Sequence, residues 1–223
     1  MIITIDGPAG SGKSAAALQL ARKLAIPHLD TGAMYRAVAL DALEQHILND
    51  PDRIADRCRQ LSLRFDFTRS PAPLLLNGRD VSELVRQPAV TQITYVAADN
   101  PWVREELVRQ QRDIGRVQGS LVTEGRDQGT IVFPHADFKF YLNAHPEERA
   151  RRRIAQLEAK GISAELNEVL GQILQRDMRD QARAVGPLCR PDDAIDIDTT
   201  DLTLDETVDA IITHIHQKSP AAS

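Results

Sequence analysis

Ile2-Ile-Thr-Ile-Asp6-Gly7-Pro-Ala-Gly-Ser-Gly-Lys13-Ser14 is the stretch on which the fold turns. Ile2 to Ile5 is a short apolar, β-branched run suited to a buried parallel strand. A glycine-rich loop follows, then Ala15 to Leu24, a strong helix former that Pro27 stops. Between strand and helix, Gly7-x-x-x-x-Gly12-Lys13-Ser14 satisfies the phosphate-binding loop pattern in full. The glycines let backbone N–H groups turn inward around phosphates, and the helix N-terminus adds the positive end of its dipole. Gly7, Pro8, Ala9, Gly10, Ser11, Gly12, Lys13 and Ser14 are therefore expected to hold a nucleoside triphosphate. Lys13 would reach its β- and γ-phosphates, and the Ser14 hydroxyl would ligate Mg²⁺.

Outward from this loop, His28-Leu29-Asp30 leads into Thr31-Gly32 and a second helix, about Ala33 to Leu48. The texture then changes. Leu61 to Phe67 alternates as a strand, and Leu74 to Leu76 runs into the hairpin signal Asn77-Gly78. Helices are predicted near Pro88 to Ala97 and Pro101 to Arg116, the latter with Pro101 in its first turn. This reads as an inserted α+β unit, about residues 61–100. Core strands resume at Leu121 to Glu124 and Phe138 to Leu142. Helices follow at Pro146 to Lys160, capped by Gly161, and at Ala164 to Ala184. Ala194 to Ile197 is a last strand, Thr203-Leu-Asp-Glu206 a capping box for the final helix, and Ser219 to Ser223 a disordered tail. Alternating core strands and helices imply an α/β fold, a parallel sheet with helices on both faces and substrate outside the strands' carboxyl ends.

Composition narrows the classes. The 223 residues are 42% apolar and 26% charged, with a formal net charge of -5. That is enough for a full core, without the low hydrophobicity and high charge of disordered chains. No run of about 18 apolar residues suggests a membrane span, and the N-terminus does not resemble a signal peptide. Cys58 and Cys189 form no metal or disulfide pattern, so a reduced, cytoplasmic, soluble protein is expected. Overall acidity argues against a nucleic-acid coat. Of the 27 basic residues 22 are arginine, which a GC-rich genome would also produce, but whose planar fork grips phosphate.

Phosphate-binding loops also serve GTPases, motors and transporters; the Asn-Lys-x-Asp guanine signature is missing. Glu124 ends a core strand, where an acid would hold a water on magnesium. Arg176, Asp180 and Arg183 share one helix face at i, i+4 and i+7. Arg149, Arg151, Arg152 and Arg153 crowd the first turns of another helix, against its dipole, and an anionic ligand would explain them. Beside a triphosphate loop these arginines suit phosphoryl transfer, which works by positioning and charge stabilisation. Their like charges are expected to splay the elements that carry them until nucleotides bind. The residues alone leave open another small-molecule kinase or a nucleotide-gated switch.

Together, Gly7 to Ser14, Asp30-Thr-Gly-Ala-Met-Tyr35-Arg36, Asn77-Gly-x-Asp80-Val, Glu124-Gly-Arg-Asp127-x-Gly-Thr130, Glu147-Glu-Arg149-x-x-Arg152-Arg153, Arg176-Asp-x-x-Asp180-x-x-Arg183 and Asp198-Thr-Thr200 resemble the bacterial-type cytidylate kinases, from Ile2 to about His216. The resemblance implies ATP-dependent phosphorylation of CMP and dCMP by a monomer on a nucleoside-monophosphate-kinase fold. It divides the chain into a core (1–30, 117–145 and 187–223), a monophosphate-binding domain (31–116) and a small helical lid with its flanking helices (146–186). By matching position, Tyr35, Arg36, Arg126 and Arg183 belong to the acceptor phosphate, Arg104 and Asp127 to the cytosine edge, and Arg176 and Asp180 to the ribose, with Thr31 also among the substrate-binding residues. Arg152 and Arg153 fall on the donor side, and Lys13, Arg126, Arg152 and Arg183 carry the chemistry, with Ser14 and Glu124 at the metal.

Two positions depart from the family pattern. Asp-Ser-Gly is here Asp30-Thr31-Gly32, which keeps a hydroxyl, and a serine nine residues before Arg104 is here Tyr95, beside Thr94. Thr94 takes over that contact, Tyr95 stacks on the pyrimidine, or Arg104 and Asp127 suffice. The last is expected, because a carboxylate accepts from the 4-amino group of cytosine and repels the 4-oxo group of uracil.

Overall fold

A computed structural model describes residues 1–159 and 161–218; Lys160 and the 219–223 tail expected to be disordered lie outside the described residues. The chain begins with β1 (Ile2–Asp6), α1 (Lys13–Leu24), β2 (His28–Asp30), α2 (Thr31–Glu44) and α3 (Pro51–Gln60). Three short strands follow, β3 (Leu63–Phe65), β4 (Leu74–Leu76) and β5 (Arg79–Asp80), then helices α4 (Pro88–Gln92), α5 (Tyr95–Ala98) and α6 (Pro101–Gln118). The rest is β6 (Leu121–Gly125), β7 (Phe138–Asn143), α7 (Pro146–Glu158), α8 (Leu166–Gln181), β8 (Ile195–Asp198) and α9 (Leu204–Lys218).

Five strands form one parallel sheet in the order β2-β6-β1-β7-β8, with Ile2 opposite Leu121 and Ile3 opposite Phe138. From β1 the chain crosses to β2, beyond β6, while β7 and β8 extend the sheet the other way. The loop after β1 therefore sits where the crossovers diverge, the place at which parallel sheets open a crevice. Ile3 and Ile5 pack with Ala16, Leu20, Phe140, Val208 and Ile211 beneath α1 and α9. Burying each such large side chain contributes about 1.5–3 kcal/mol. The opposite face of β1 is polar yet fully enclosed, with Thr4 and Asp6 at 0% exposure. A second core joins α2, α3 and α6 to the antiparallel β3-β4-β5 sheet, and α7 and α8 share a small third cluster around Ala150, Val169 and Ile173.

Several boundaries differ from the sequence reading. His28 to Asp30 is an edge strand paired to β6, and α2 starts at Thr31 because the Asp30 carboxylate accepts from the Ala33 amide at 2.9 Å. The same helix ends at Glu44, not Leu48, and the chain turns at His46 with φ +56°. Helix α3 was not predicted at all. Asp50 caps it by accepting from Arg53 at 3.0 Å, with Pro51 at its start. The strand expected over Leu61 to Phe67 is only Leu63–Phe65, and the helix expected over Pro88 to Ala97 is two short ones parted at Ile93-Thr94. The helices expected at Ala164 to Ala184 and from Pro146 onward span Leu166–Gln181 and Pro146–Glu158. Asn77 and Gly78, at φ +51° and +85°, make the expected tight hairpin, and Thr203 and Glu206 close the expected capping box.

Candidate active site

Gly7 fixes the start of the loop between β1 and α1. Its φ is +150°, and a Cβ there would lie 2.0 Å from the Leu142 carbonyl oxygen, so only glycine fits. Gly12 caps α1 in the left-handed region, φ +84°. The first turn of α1 leaves its amides without intrahelical acceptors, which is the supply of donors a phosphate needs. Lys13 lies under the loop, 5% exposed, donating to the Pro8 carbonyl at 2.8 Å. Burial, with Arg126 nearby, lowers its ammonium to about 7. The Ser14 hydroxyl donates to Glu124 Oε1 at 2.7 Å, so Ser14 and the strand-end acid meet as the sequence predicts.

The loop is braced from the α7–α8 side. Arg149 is buried and donates to the Ala9 and Ala144 carbonyls at 2.9 and 3.0 Å and to Asp177, whose other oxygen accepts from the Ala9 amide. Arg152 binds Glu148 at 3.1 Å and the Thr199 hydroxyl at 3.0 Å, with further contacts to the Thr199 and Thr200 carbonyls. A Cβ on Gly12 would stand 3.8 Å from Arg152 Nη1, so this arginine borders the loop. Arg153 does not join it; exposed on α7, it reaches Gln156 at 3.4 Å.

Behind the loop, Asp6 accepts from the Gln128 and Gly129 amides at 2.9 and 2.7 Å. These hold a wide turn over Gln128–Val132 whose Phe133 amide reaches back five residues, to Gln128. Thr123, Gln128 and Gln111 continue the buried polar chain. Burial raises the Asp6 carboxyl to about 7 against these two amides.

The other wall of the cleft comes from α2, α6, β6 and α8. Asp180 is its hub, accepting from Arg126 at 2.7 Å and Arg183 at 2.5 Å, and Arg183 also binds Asp99 at 2.7 Å. Burial opposes the Asp180 charge, yet Arg126 and Arg183 hold its carboxyl below the usual range. Asp30 plays the same part for Arg36, at 3.2 Å, and for Arg86, at 2.9 Å, a residue the sequence reading had not singled out. Arg176 has no hydrogen-bond or ion-pair partner among the described residues. It keeps contact with solvent, while the wall around it and Arg126 lower its guanidinium to about 10, so it stays charged at neutral pH.

Arg104 and Asp127 form a buried ion pair, each no more than 4% exposed in its side chain, and Arg104 lies 5.3 Å from the centre of the Tyr35 ring. Burial pushes the Asp127 carboxyl up against the pull of Arg104, and the Tyr35 phenol up to about 12. Tyr35 Oη, Arg36 Nε and Arg104 Nε are buried without partners among the described residues, which marks this corner as built for a polar ligand. Thr31 instead donates its hydroxyl to the Glu124 carbonyl at 2.7 Å, tying α2 to β6.

The predicted residues thus converge, apart from Arg153 and the hydroxyl of Thr31. The premise of the expected splaying, that these arginines lack counter-charges, fails for most of them. Asp30, Asp99, Asp127, Asp177, Asp180 and Glu148 pair with Arg36, Arg86, Arg104, Arg126, Arg149, Arg152 and Arg183, while Arg153 and Arg176 have no carboxylate partner among the described residues. Sequence reasoning missed Asp6, Arg86, Asp99 and the Arg149–Asp177 brace. Only Asp6, a lone acid closing an apolar strand, carried a signal. Cys58 is buried with its thiol pushed up to about 12, in keeping with an inert cysteine.

Comparison with known proteins agrees with this geometry. The model of the family described as "Cytidylate kinase" matches residues 3–217. A cytidylate kinase of Caldanaerobacter subterraneus subsp. tengcongensis is 45% identical over 218 residues, 97% of this chain and 95% of that protein. The Geobacter sulfurreducens cytidylate kinase is 41% identical over 222 residues, 99% and 95% of the two chains. Among solved structures, a shikimate kinase of Bacteroides thetaiotaomicron superposes with a TM-score of 0.51 at 15% identity, covering 96% and 98%, a likeness of fold alone. No helix among the described residues is long and apolar enough to cross a membrane.

Proposed function

The chain belongs to the cytidylate kinase family, and on that premise we propose that it transfers the γ-phosphoryl group of ATP to CMP and dCMP. The observation that carries this reading is the pairing of a complete phosphate loop with a facing wall of arginines in which Arg176 is unpaired. An oxygen of the acceptor phosphate attacks the γ-phosphorus, the bond to the β–γ bridging oxygen breaks, and ADP leaves with CDP or dCDP. The attacking oxygen is already anionic at neutral pH, so no general base is required, and catalysis rests on positioning and charge.

Lys13, protonated, meets the transferring phosphoryl group, and Arg126 and Arg183 hold the acceptor phosphate by exchanging Asp180 for it. Arg152, beside Gly12, stabilises the donor phosphates. Arg104 and Asp127 read the cytosine edge, and Arg176 and Asp180 the ribose. Ser14 and Glu124 offer adjacent hard oxygen donors at the strand end, a set that fits Mg²⁺, and these two residues would hold it. When bound, the ion neutralises charge on the donor phosphates. In this reading residues 31–116 are the acceptor domain and 146–186 the lid, and the enzyme works as a monomer in the cytoplasm.

An ADP-coupled assay with CMP, dCMP, UMP, AMP and shikimate tests the assignment. CMP and dCMP should turn over fastest, and a CMP rate no higher than background ATP hydrolysis would overturn it.

A further inference from the structure

Tyr95 is nearly half exposed, at 46%, and its hydroxyl has no partner among the described residues. What its side chain does meet is Arg179 of α8, whose guanidinium carbon lies 5.0 Å from the ring centre. At the other end of α5, its capping residue Asp99 binds Arg183, two residues past the end of α8, at 2.7 Å. Tyr95 opens α5 and Asp99 caps its end, while Arg179 lies in the last turn of α8 and Arg183 just past it, so the two contacts are successive rungs between these two segments. From the lower rung the contacts run on without a gap through Asp180 to Arg126. Thr94 has no share in this, since its hydroxyl donates back to the Val90 carbonyl at 3.0 Å.

We propose that Tyr95 is a positioning residue: its ring and Arg179 form the upper rung of a clasp that sets α8, and with it Arg183 and Asp180, against the acceptor wall. The ring face supplies the contact and the hydroxyl is dispensable. The proposal rests on the cytidylate kinase reading for its kinetic consequence, though the clasp itself is a matter of structure.

A cycle of Tyr95→Ala, Arg179→Ala and the double variant, with Tyr95→Phe beside it, tests this by varying CMP at saturating ATP and the reverse. Each single alanine variant should raise the CMP KM about two- to fivefold, the range of an exposed cation–π contact, and leave the ATP KM unchanged. The double variant should be no worse than either single one, and Tyr95→Phe should match the parent. Multiplying effects in the double variant, equal shifts in both KM values, or a Tyr95→Phe as impaired as Tyr95→Ala would overturn the proposal. Amide hydrogen exchange separates it from the activity assignment. Tyr95→Ala should lower protection at residues 179–183 while Tyr95→Phe does not, and unchanged protection there refutes the clasp whether or not CMP is turned over.

Discussion

At the loop between β1 and α1 the polar work is done mainly by backbone: a left-handed Gly12, a Gly7 pressed against Leu142, and Lys13 resting on the Pro8 carbonyl. Across the cleft the wall is held by side chains, with Arg104 on Asp127, Arg126 and Arg183 on Asp180, and Arg36 on Asp30. In the first arrangement the backbone geometry is fixed by the glycines, and only a few contacts, Lys13 on Pro8, Ser14 on Glu124 and the Ala9 amide on Asp177, have to give way to a phosphate. The second must trade internal carboxylates for ligand oxygens, so affinity there is a difference between two charge-assisted pairings. A donor site of the first kind tolerates many nucleotides, while an acceptor site of the second kind is selective.

The contrast breaks most sharply at Lys13. Lys13→Met should lower kcat about a hundred- to thousandfold, the scale of losing one preorganised charge contact, with the circular-dichroism spectrum unchanged. A loss under tenfold would mean that the cradle's backbone suffices without the lysine. On the other wall, Asp127→Asn should cut the CMP-over-UMP ratio of kcat/KM about tenfold or more, since it removes the carboxylate that rejects the 4-oxo group. Thr94→Val should leave that ratio within about twofold. A larger loss in Thr94→Val than in Asp127→Asn would move base reading to the threonine.

The last effect concerns the support beneath the loop. Asp6 has a folded pKa near 7 against 3.8 in the unfolded chain, so its contribution is lost as pH rises through about 4 to 7. Lys13, lowered to about 7 from 10.5, has the opposite sense, and its contribution returns as pH rises from about 7 to 10.5. Jointly these groups draw stability toward a minimum near neutrality. Asp6→Asn should flatten the fall in melting temperature between pH 5 and 7 by about 5–9 °C, the roughly 2 kcal/mol of linkage in that window, measured by calorimetry in the absence of nucleotide. An identical pH slope in the variant would show that Asp6 is charged throughout.

These two regions also differ in how far the sequence disclosed them. The phosphate loop is contiguous, and a strand, a glycine pattern and a helix identify it without tertiary information. The core strands β1, β6 and β7 were legible for the same reason, each being a dense apolar run. Strand β2 was not, because three residues carry no periodicity, and it is a strand only through β6. Helix α3 escaped because Ile54, Ala55 and Cys58 are its only buried residues among charged neighbours. The acceptor wall draws on α2, α6, β6 and α8: helical spacing picked out Arg176, Asp180 and Arg183, while Tyr35, Arg36, Arg104, Arg126 and Asp127 were named through family resemblance. Which carboxylate each arginine takes followed from no local rule: Asp177, Asp99 and Asp30 became visible as partners only in three dimensions.

The parallel pairing of β1 has a consequence for the order in which the molecule is made. The Met1 ammonium bonds the Gly119 carbonyl, 118 residues along the chain, and both partners of β1 lie beyond that point. A ribosome adding about 5–20 residues per second releases the glycine loop first but supplies its flanking strands only on the order of ten seconds later. Through that interval Ile3 and Ile5 have no sheet to enter, and a nascent chain shorter than 143 residues cannot assemble the cradle. The glycine loop is thus made before the strands that flank it, and acquires its shape only after they are added.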